Sequence, residues 1–352
     1  MTKQFAYVGS YTSRKRGGLE HGGISVFERL EDSGWKEIQV YELENPSYLA
    51  FGKDKHCLYS VQADGHIISA FQIGEDGKIH LLNQCRNGFF NGVHCEVAGD
   101  GRHLFVASCT PENRTGGVVS FELECTGAIG KICDVQIPPG KLGPLTTTAQ
   151  AGVKPHQVRL SSDGKYLLEV DKALDAINSY IVDSDGKLNL VSTMNWRPAS
   201  CPRHISVHPN GKWLYLLTEW VGTVVACHYN EGVITPFAVY QTLPSTFTGL
   251  KNSAAEIEVH PSGRWLYASN RDHNSIVRFE ITKTGELIDP AWITEGIGKP
   301  RFFKIAEDGK ELYCANEATH KVAIFDICPN DGKLCLTESV LYASAPACVL
   351  LK

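Results

Sequence analysis

Residues 201–219 read CPRHISVHPNGKWLYLLTE. Two apolar, strand-like runs flank His-Pro-Asn-Gly, a turn sequence in which the glycine supplies the backbone freedom the reversal needs. Arg203 stands just before the first run and Glu219 just after the second. An antiparallel pairing across this turn brings both charges to the end opposite it.

The pattern repeats along the chain. GKDKHCLYSV, AGDGRHLFVAS, SSDGKYLLEVD, HPSGRWLYASNR and AEDGKELYCANE carry the same turn followed by an aromatic-rich apolar run, and the turn glycines at 101, 164, 211, 263 and 309 recur at about fifty residues. Each copy continues into a third strand, such as GTVVACHY or HKVAIFDI, and most into a fourth, such as GKLNLVSTM. Four short strands per unit, with turn signals between them and no helical period, describe a propeller blade. The strands ahead of the turns read NPSYLAF, GVHCEV, KPHQVRL, CPRHISV, AAEIEV, KPRFFKI and APACVLL, which makes seven. The last has no chain after it. FAYVGSYT, GGISVFERL and GWKEIQVYEL at the N-terminus supply the missing three strands. The expectation is an all-β, seven-bladed β-propeller over residues 1–352 as one domain, its ring closed where the C-terminal strand joins the N-terminal strands in one blade.

Composition fits that reading. The hydrophobic share is 43% and the charged share 21%, ordinary for a chain with a large core. A net charge of −5 gives no reason to expect nucleic acid or a membrane surface as partner. The start, MTKQFAYVGSYT, lacks the apolar stretch of a signal peptide, so a cytoplasmic location is expected. Twelve cysteines lie scattered with no C-x-x-C, a placement that suits reduced, mostly buried thiols better than a disulfide framework or a metal site. Neither a metal nor a cofactor is implied. Nucleophile-elbow, phosphate-loop and zinc-helix motifs are all missing.

In a propeller the start of strand one and the end of strand two meet at one mouth of the central channel. Strand-one starts give Ser47, His94, His156, Arg203, Glu256, Arg301 and Ala347; strand-two ends give Tyr11, Ala63, Cys109, Lys172, Glu219, Arg271 and Glu317. Taken singly, an arginine or glutamate at a strand end is an ordinary solvated or paired residue. Three arginines at equivalent positions are different: their repulsion calls for an anion, and guanidinium groups suit carboxylate or phosphate. His156 and Glu219 are the candidate proton-handling groups. The long connection GKLGPLTTTAQAGVKPH is expected to border the mouth.

PRHISVHPNGKWLYLLTE, AAEIEVHPSGRWLYASNRDHNSIVRF, KPRFFKIAEDGKELYCANE and the terminal PACV resemble the lactonase family of seven-bladed propellers. That family includes propeller-type 6-phosphogluconolactonases and the fungal 3-carboxy-cis,cis-muconate lactonizing enzymes, and the resemblance spans essentially the whole chain. It implies a catalytic quartet of His156 in KPHQV, Arg203 in CPRH, Glu219 in LLTE and Arg271 in SNRDH, with Arg301 in KPRFF as a further family arginine. Arg301, His94, Lys172 and Glu317 are the expected substrate-binding residues. Departures lie in VQADG, ASCTPEN and EVDKALD, which touch the mouth and leave the substrate open. The implied reaction is metal-independent hydrolysis of a sugar lactone, foremost 6-phosphogluconolactone in the pentose phosphate pathway. Two alternatives stand beside it: a muconate-type lactonizing cycloisomerase, and a non-enzymatic propeller that binds a small molecule or protein. A small anionic lactone or carboxylate is the expected partner. Oligomeric state is not readable.

Overall fold

The computed structural model describes residues 3–31, 34–110, 115–145, 149–249 and 252–352. Part of the long connection ahead of Lys154, residues 146–148, lies outside them. Among the described residues the chain forms 28 strands, β1–β28 in chain order, arranged as seven four-stranded sheets. These are the blades of a seven-bladed β-propeller. Six sheets take four consecutive strands. The seventh has the order β28-β1-β2-β3, so the terminal strand β28 (Pro346–Leu351) completes the sheet of β1 (Phe5–Ser10), β2 (Gly23–Arg29) and β3 (Trp35–Glu42). Tyr7 sits opposite Leu350 and Val8 opposite Val349 in that pairing. The split blade read from the sequence is therefore present.

By contacts the chain forms two compact units: residues 1–45, 204–228 and 236–352, and residues 46–203 with 229–235. Within each, neighbouring blades are tied by a repeated device. The second strand of a blade carries a buried tyrosine in its apolar run, whose hydroxyl donates to a glycine carbonyl in an outer turn of the next blade. In the second unit Tyr59 Oη reaches Gly127 O at 2.9 Å; in the first, Tyr215 reaches Gly285 at 3.0 Å and Tyr267 reaches Gly332 at 2.6 Å. The turn histidines work alongside: His208 and His260 contact the carbonyls of Gly263 and Gly309 at 3.0 and 2.8 Å. A hydroxyl buried without a partner would be costly, so each tyrosine gains both its apolar burial and a satisfied polar end.

The inner strands are β4 (Pro46–Phe51), β8 (Gly92–Val97), β12 (Pro155–Leu160), β16 (Pro202–Val207), β20 (Ala254–Val259), β24 (Pro300–Ile305) and β28. Pairing with the second strand slips at the start of β4, β8, β12, β20, β24 and β28. Pro46 faces Gln62 but Tyr48 faces Val61; Pro155 faces Asp171 but Gln157 faces Val170; Pro300 faces Asn316 but Phe302 faces Ala315. The extra residue of each bulge is the second of the strand: Ser47, His156, Arg301 and, in β8 and β28, Val93 and Ala347. A bulge re-aims one side chain at a strand end, which is what a site residue there requires.

This corrects the register expected for two positions. His94 and Glu256 stand one residue beyond the bulge position, which is occupied by Val93 in β8 and Ala255 in β20. His94 is accordingly fully buried in the second unit, its ring centroid 3.9 Å from that of Tyr48. Glu256 turns inward to His204, whose Nδ1 lies 2.9 Å from Oε1.

None of the twelve cysteines forms a disulfide; Cys95, Cys201, Cys227, Cys314 and Cys348 are buried, while Cys125 and Cys335 are exposed.

Candidate active site

The residues that follow the second strands are fixed by the polar residue just ahead of them. Asn270 ends β21 (Trp265–Asn270); its Oδ1 accepts from Thr242 Oγ1 at 2.7 Å and Asn252 Nδ2 at 3.2 Å, and its Nδ2 donates to Thr242 O at 2.9 Å. Asn316 ends β25 (Glu311–Asn316); Oδ1 accepts from Gly298 N–H, and Nδ2 donates to Gly296 O, both at 2.9 Å. These buried amides lock the loops beside Arg271 and Glu317. The main chain closes the same corners, since Arg271 N–H donates to Ser253 O and Glu317 N–H to Lys299 O.

Four of the predicted residues come together in the first unit. Arg271 Nη2 lies 3.2 Å from Glu219 Oε1, and each side chain is only 12% exposed. Arg271 spends its Nε on Ser253 O at 2.9 Å, so the guanidinium is held by backbone as well as by the carboxylate. Glu219 in turn has its carbonyl on Ala254 N–H. Arg271 also lines a cavity of about 320 Å³, together with Arg301 and Glu317. Across it, Lys299 Nζ contacts Glu317 Oε1 at 2.6 Å, and Arg301 Nη1 lies 3.9 Å from Oε2. Lys299 reaches that position from a left-handed backbone, φ 55°, immediately before Pro300. Such a conformation costs a non-glycine residue about 1–2 kcal/mol, which the surrounding hydrogen bonds must offset.

Tyr11, Lys15, Arg16 and Gly17 complete the cavity lining. The sequence reading named Tyr11 only as a strand end and missed Lys15, Arg16 and Lys299. A signal was available for the first two: RKR, the densest basic run in this part of the chain, comes just after Thr12 and Ser13, which follow the strand-two end at Tyr11.

The second unit holds the other predicted residues. His156 is the bulge residue of β12 and is buried, as is Arg203 at the second position of β16. Lys172 follows β13 (Tyr166–Asp171), with its N–H on Lys154 O at 3.1 Å. Asp171 anchors this corner as Asn270 and Asn316 anchor theirs, accepting from Lys154, Ala173 and Leu174 N–H at 2.9, 2.7 and 2.8 Å. Burial pushes the Asp171 carboxyl up to about 7 against the opposing pull of those donors, and burial lowers the Lys154 ammonium. Among the described residues, no group of three or more His, Cys, Asp or Glu side chains is placed to hold a metal ion.

What the first unit offers chemically is a carboxylate held against a guanidinium beside a strongly cationic cavity. A family model described as Lactonase, 7-bladed beta-propeller, matches residues 5–351. The chain belongs to the lactonase family of seven-bladed β-propellers. Within that family it is 30% identical over 352 residues to an uncharacterised protein of Staphylococcus aureus (strain N315), covering 98% of both chains. A solved structure from Bacteroides fragilis NCTC 9343, designated a candidate 6-phosphogluconolactonase, superposes with TM-score 0.88 at 26% identity, covering 100% of this chain and 98% of that one. The periplasmic gluconolactonase of Pseudomonas aeruginosa has the same fold, with TM-score 0.88 at 24% identity and 99% of both chains covered.

Proposed function

We propose that this protein is a metal-independent lactonase that hydrolyses an anionic sugar lactone, foremost 6-phosphogluconolactone to 6-phosphogluconate, as a cytoplasmic step of carbohydrate metabolism. One observation carries the reading: the Glu219–Arg271 pair stands beside a cavity lined by five basic side chains. Family membership and the Bacteroides fragilis likeness support the lactonase class.

In the proposed step, Arg271 draws the lactone carbonyl toward positive charge, while Arg301 holds an anionic group of the substrate. Glu219 takes a proton from water as the oxygen adds to the carbonyl carbon. The tetrahedral oxyanion is then stabilised by the Arg271 guanidinium. Breaking the ring C–O bond returns the proton from Glu219 to the departing alkoxide, and the new carboxylic acid ionises into solution. Glu317 also lines the cavity, its oxygens facing Lys299 and Arg301, and is the second carboxylate that the experiment tests. The resemblance adds His156 and Arg203 to the reacting set, and their substitution tests that addition.

The experiment is steady-state hydrolysis of freshly made 6-phosphogluconolactone by Glu219→Gln, Glu317→Gln and His156→Asn variants. Glu219→Gln should lower kcat at least a hundredfold, whereas Glu317→Gln should act mainly on KM. Loss of kcat in Glu317→Gln with Glu219→Gln near wild type would reverse the assignment. Because the same cations suit a muconate carboxylate, turnover of a muconate and not of any lactone would point to the cycloisomerase instead.

A further inference from the structure

The connection between β1 and β2 makes a short 3₁₀ turn at Arg14–Arg16, closed by Gly17 at φ 81°. Two of its side chains, Lys15 and Arg16, line the same cavity as Arg271 and Arg301. The third, Arg14, is 80% exposed and paired with Glu20 at 2.7 Å, so the acid of this loop is engaged away from the cavity lining.

The loop is built in place. Asn45 Oδ1, in a fully buried side chain, accepts from both Thr12 N–H and Ser13 N–H at 3.0 Å, and Asn45 N–H donates to Thr12 Oγ1 at 3.1 Å. Ser344 Oγ donates to Tyr11 O at 3.0 Å and accepts from Leu19 N–H at 2.9 Å. Gly18 packs so closely on the backbone of Tyr11 and Thr12 that no Cβ fits there. The two guanidinium groups of Arg16 and Arg301 both lie over the Tyr11 ring, at 5.4 and 5.0 Å from its centroid. One buried aromatic therefore sets the spacing between a loop arginine and a strand arginine.

Charge decides what such a subsite takes. Among the described residues the lining holds Lys15, Arg16, Arg271, Lys299 and Arg301 against Glu317. Five basic side chains against one acid make this lining cationic, on a chain whose net charge is −5. A phosphate monoester brings about two negative charges at neutral pH, and the tetrahedral oxyanion of lactone hydrolysis adds a third. An unphosphorylated lactone would supply none before the reaction and one during it.

We propose that Lys15 and Arg16 form a phosphate subsite, in which they and Arg301 hold the phosphate of a phosphorylated sugar lactone and so select it over the unphosphorylated ring. This rests on the lactonase reading of the cavity. Lys15 and Arg16 are specificity-determining residues here, and the chemistry stays with Glu219 and Arg271.

The test uses the full chain as wild type, Lys15→Gln/Arg16→Gln, Gly18→Ala, and Arg14→Gln as the control from the same turn. Two readouts run in parallel: kcat/KM for 6-phosphogluconolactone against gluconolactone, and calorimetric affinity for 6-phosphogluconate and inorganic phosphate. The double variant should cut the phosphorylated-to-unphosphorylated kcat/KM ratio at least tenfold and weaken 6-phosphogluconate at least tenfold. Gly18→Ala should move both in the same direction, and Arg14→Gln should stay within twofold of wild type. Wild type that turns over neither lactone sinks the lactonase reading, while tenfold weaker 6-phosphogluconate binding by the double variant would still uphold the subsite. An unchanged ratio with unchanged binding, or equal losses in Arg14→Gln and the double variant, overturns the subsite.

Discussion

Glu169→Gln should make the protein more stable at neutral pH and flatten the dependence of its stability on pH. Glu169 lies on β13 with 0% exposure, two residues before Asp171 and so on the same face of the strand. Its Oε2 accepts from Asn178 Nδ2 at 2.8 Å, while Oε1 has no hydrogen-bond partner among the described residues. Burial first, then the charge of Asp171, push the Glu169 carboxyl well above its ordinary value. Asp171 has three N–H donors to Glu169's single amide, so Glu169 is the member that keeps its proton. A carboxyl whose value rises on folding binds a proton that the unfolded chain releases above about pH 4.3. Its contribution is therefore whole below that pH and is lost as pH climbs, at up to about 1.4 kcal/mol per pH unit for one proton. The loss continues until the pH reaches the raised value of the folded chain, above which it stops. Glutamine keeps the Asn178 hydrogen bond and cannot ionise. Urea midpoints at pH 5, 6 and 7 would show wild type weakening across this window and the variant, which keeps the contribution of Asp171, losing less. A variant with the wild-type slope, or one less stable than wild type at pH 7, would refute the placement of the proton on Glu169.

Tyr267→Phe removes the 2.6 Å hydrogen bond to Gly332 O between two blades, and should cost about 1–2 kcal/mol of unfolding free energy with the urea m-value unchanged. Ending the chain at Ala345 deletes β28, whose residues Pro346–Val349 are buried, and leaves β1 with β2 as its one partner strand. That chain should lose its single cooperative melting transition, which differential scanning calorimetry would record. Arg301→Ala, at the bulge of β24, should raise KM for 6-phosphogluconolactone about tenfold or more and change kcat by less than KM, because it removes a charged contact to bound substrate.

The blade count and the split blade were legible because each blade repeats one signal: a turn glycine, then an apolar run. The register was less so. Arg203, His156 and Arg301 stand eight residues ahead of their turn glycines, Gly211, Gly164 and Gly309; the same count from Gly101 and Gly263 gives Val93 and Ala255, not His94 and Glu256. His94 and Glu256 lie in strand-one segments that read one residue shorter, and the fold buries them against Tyr48 and His204. In the first inner strand the count ends at Lys55, which takes φ 53° where the other copies have glycine, so the turn carried no glycine to count from. Glu219, Arg271, Arg301 and Glu317 could be found because strand ends place them; the RKR run marks Lys15 and Arg16 as part of a basic cluster, but nothing in its spacing tells that Asn45 and Ser344 fold the loop so that these two line the cavity.

The central claim is that Glu219 beside Arg271 carries out lactone hydrolysis without a metal. Acid release from fresh 6-phosphogluconolactone, followed by pH-stat in excess chelator, measures it directly with wild type and Glu219→Gln side by side. The account predicts a wild-type rate well above the spontaneous one, unaffected by chelator, that falls to the spontaneous rate in the variant. A wild-type rate equal to the spontaneous one, or full activity in Glu219→Gln, would contradict it.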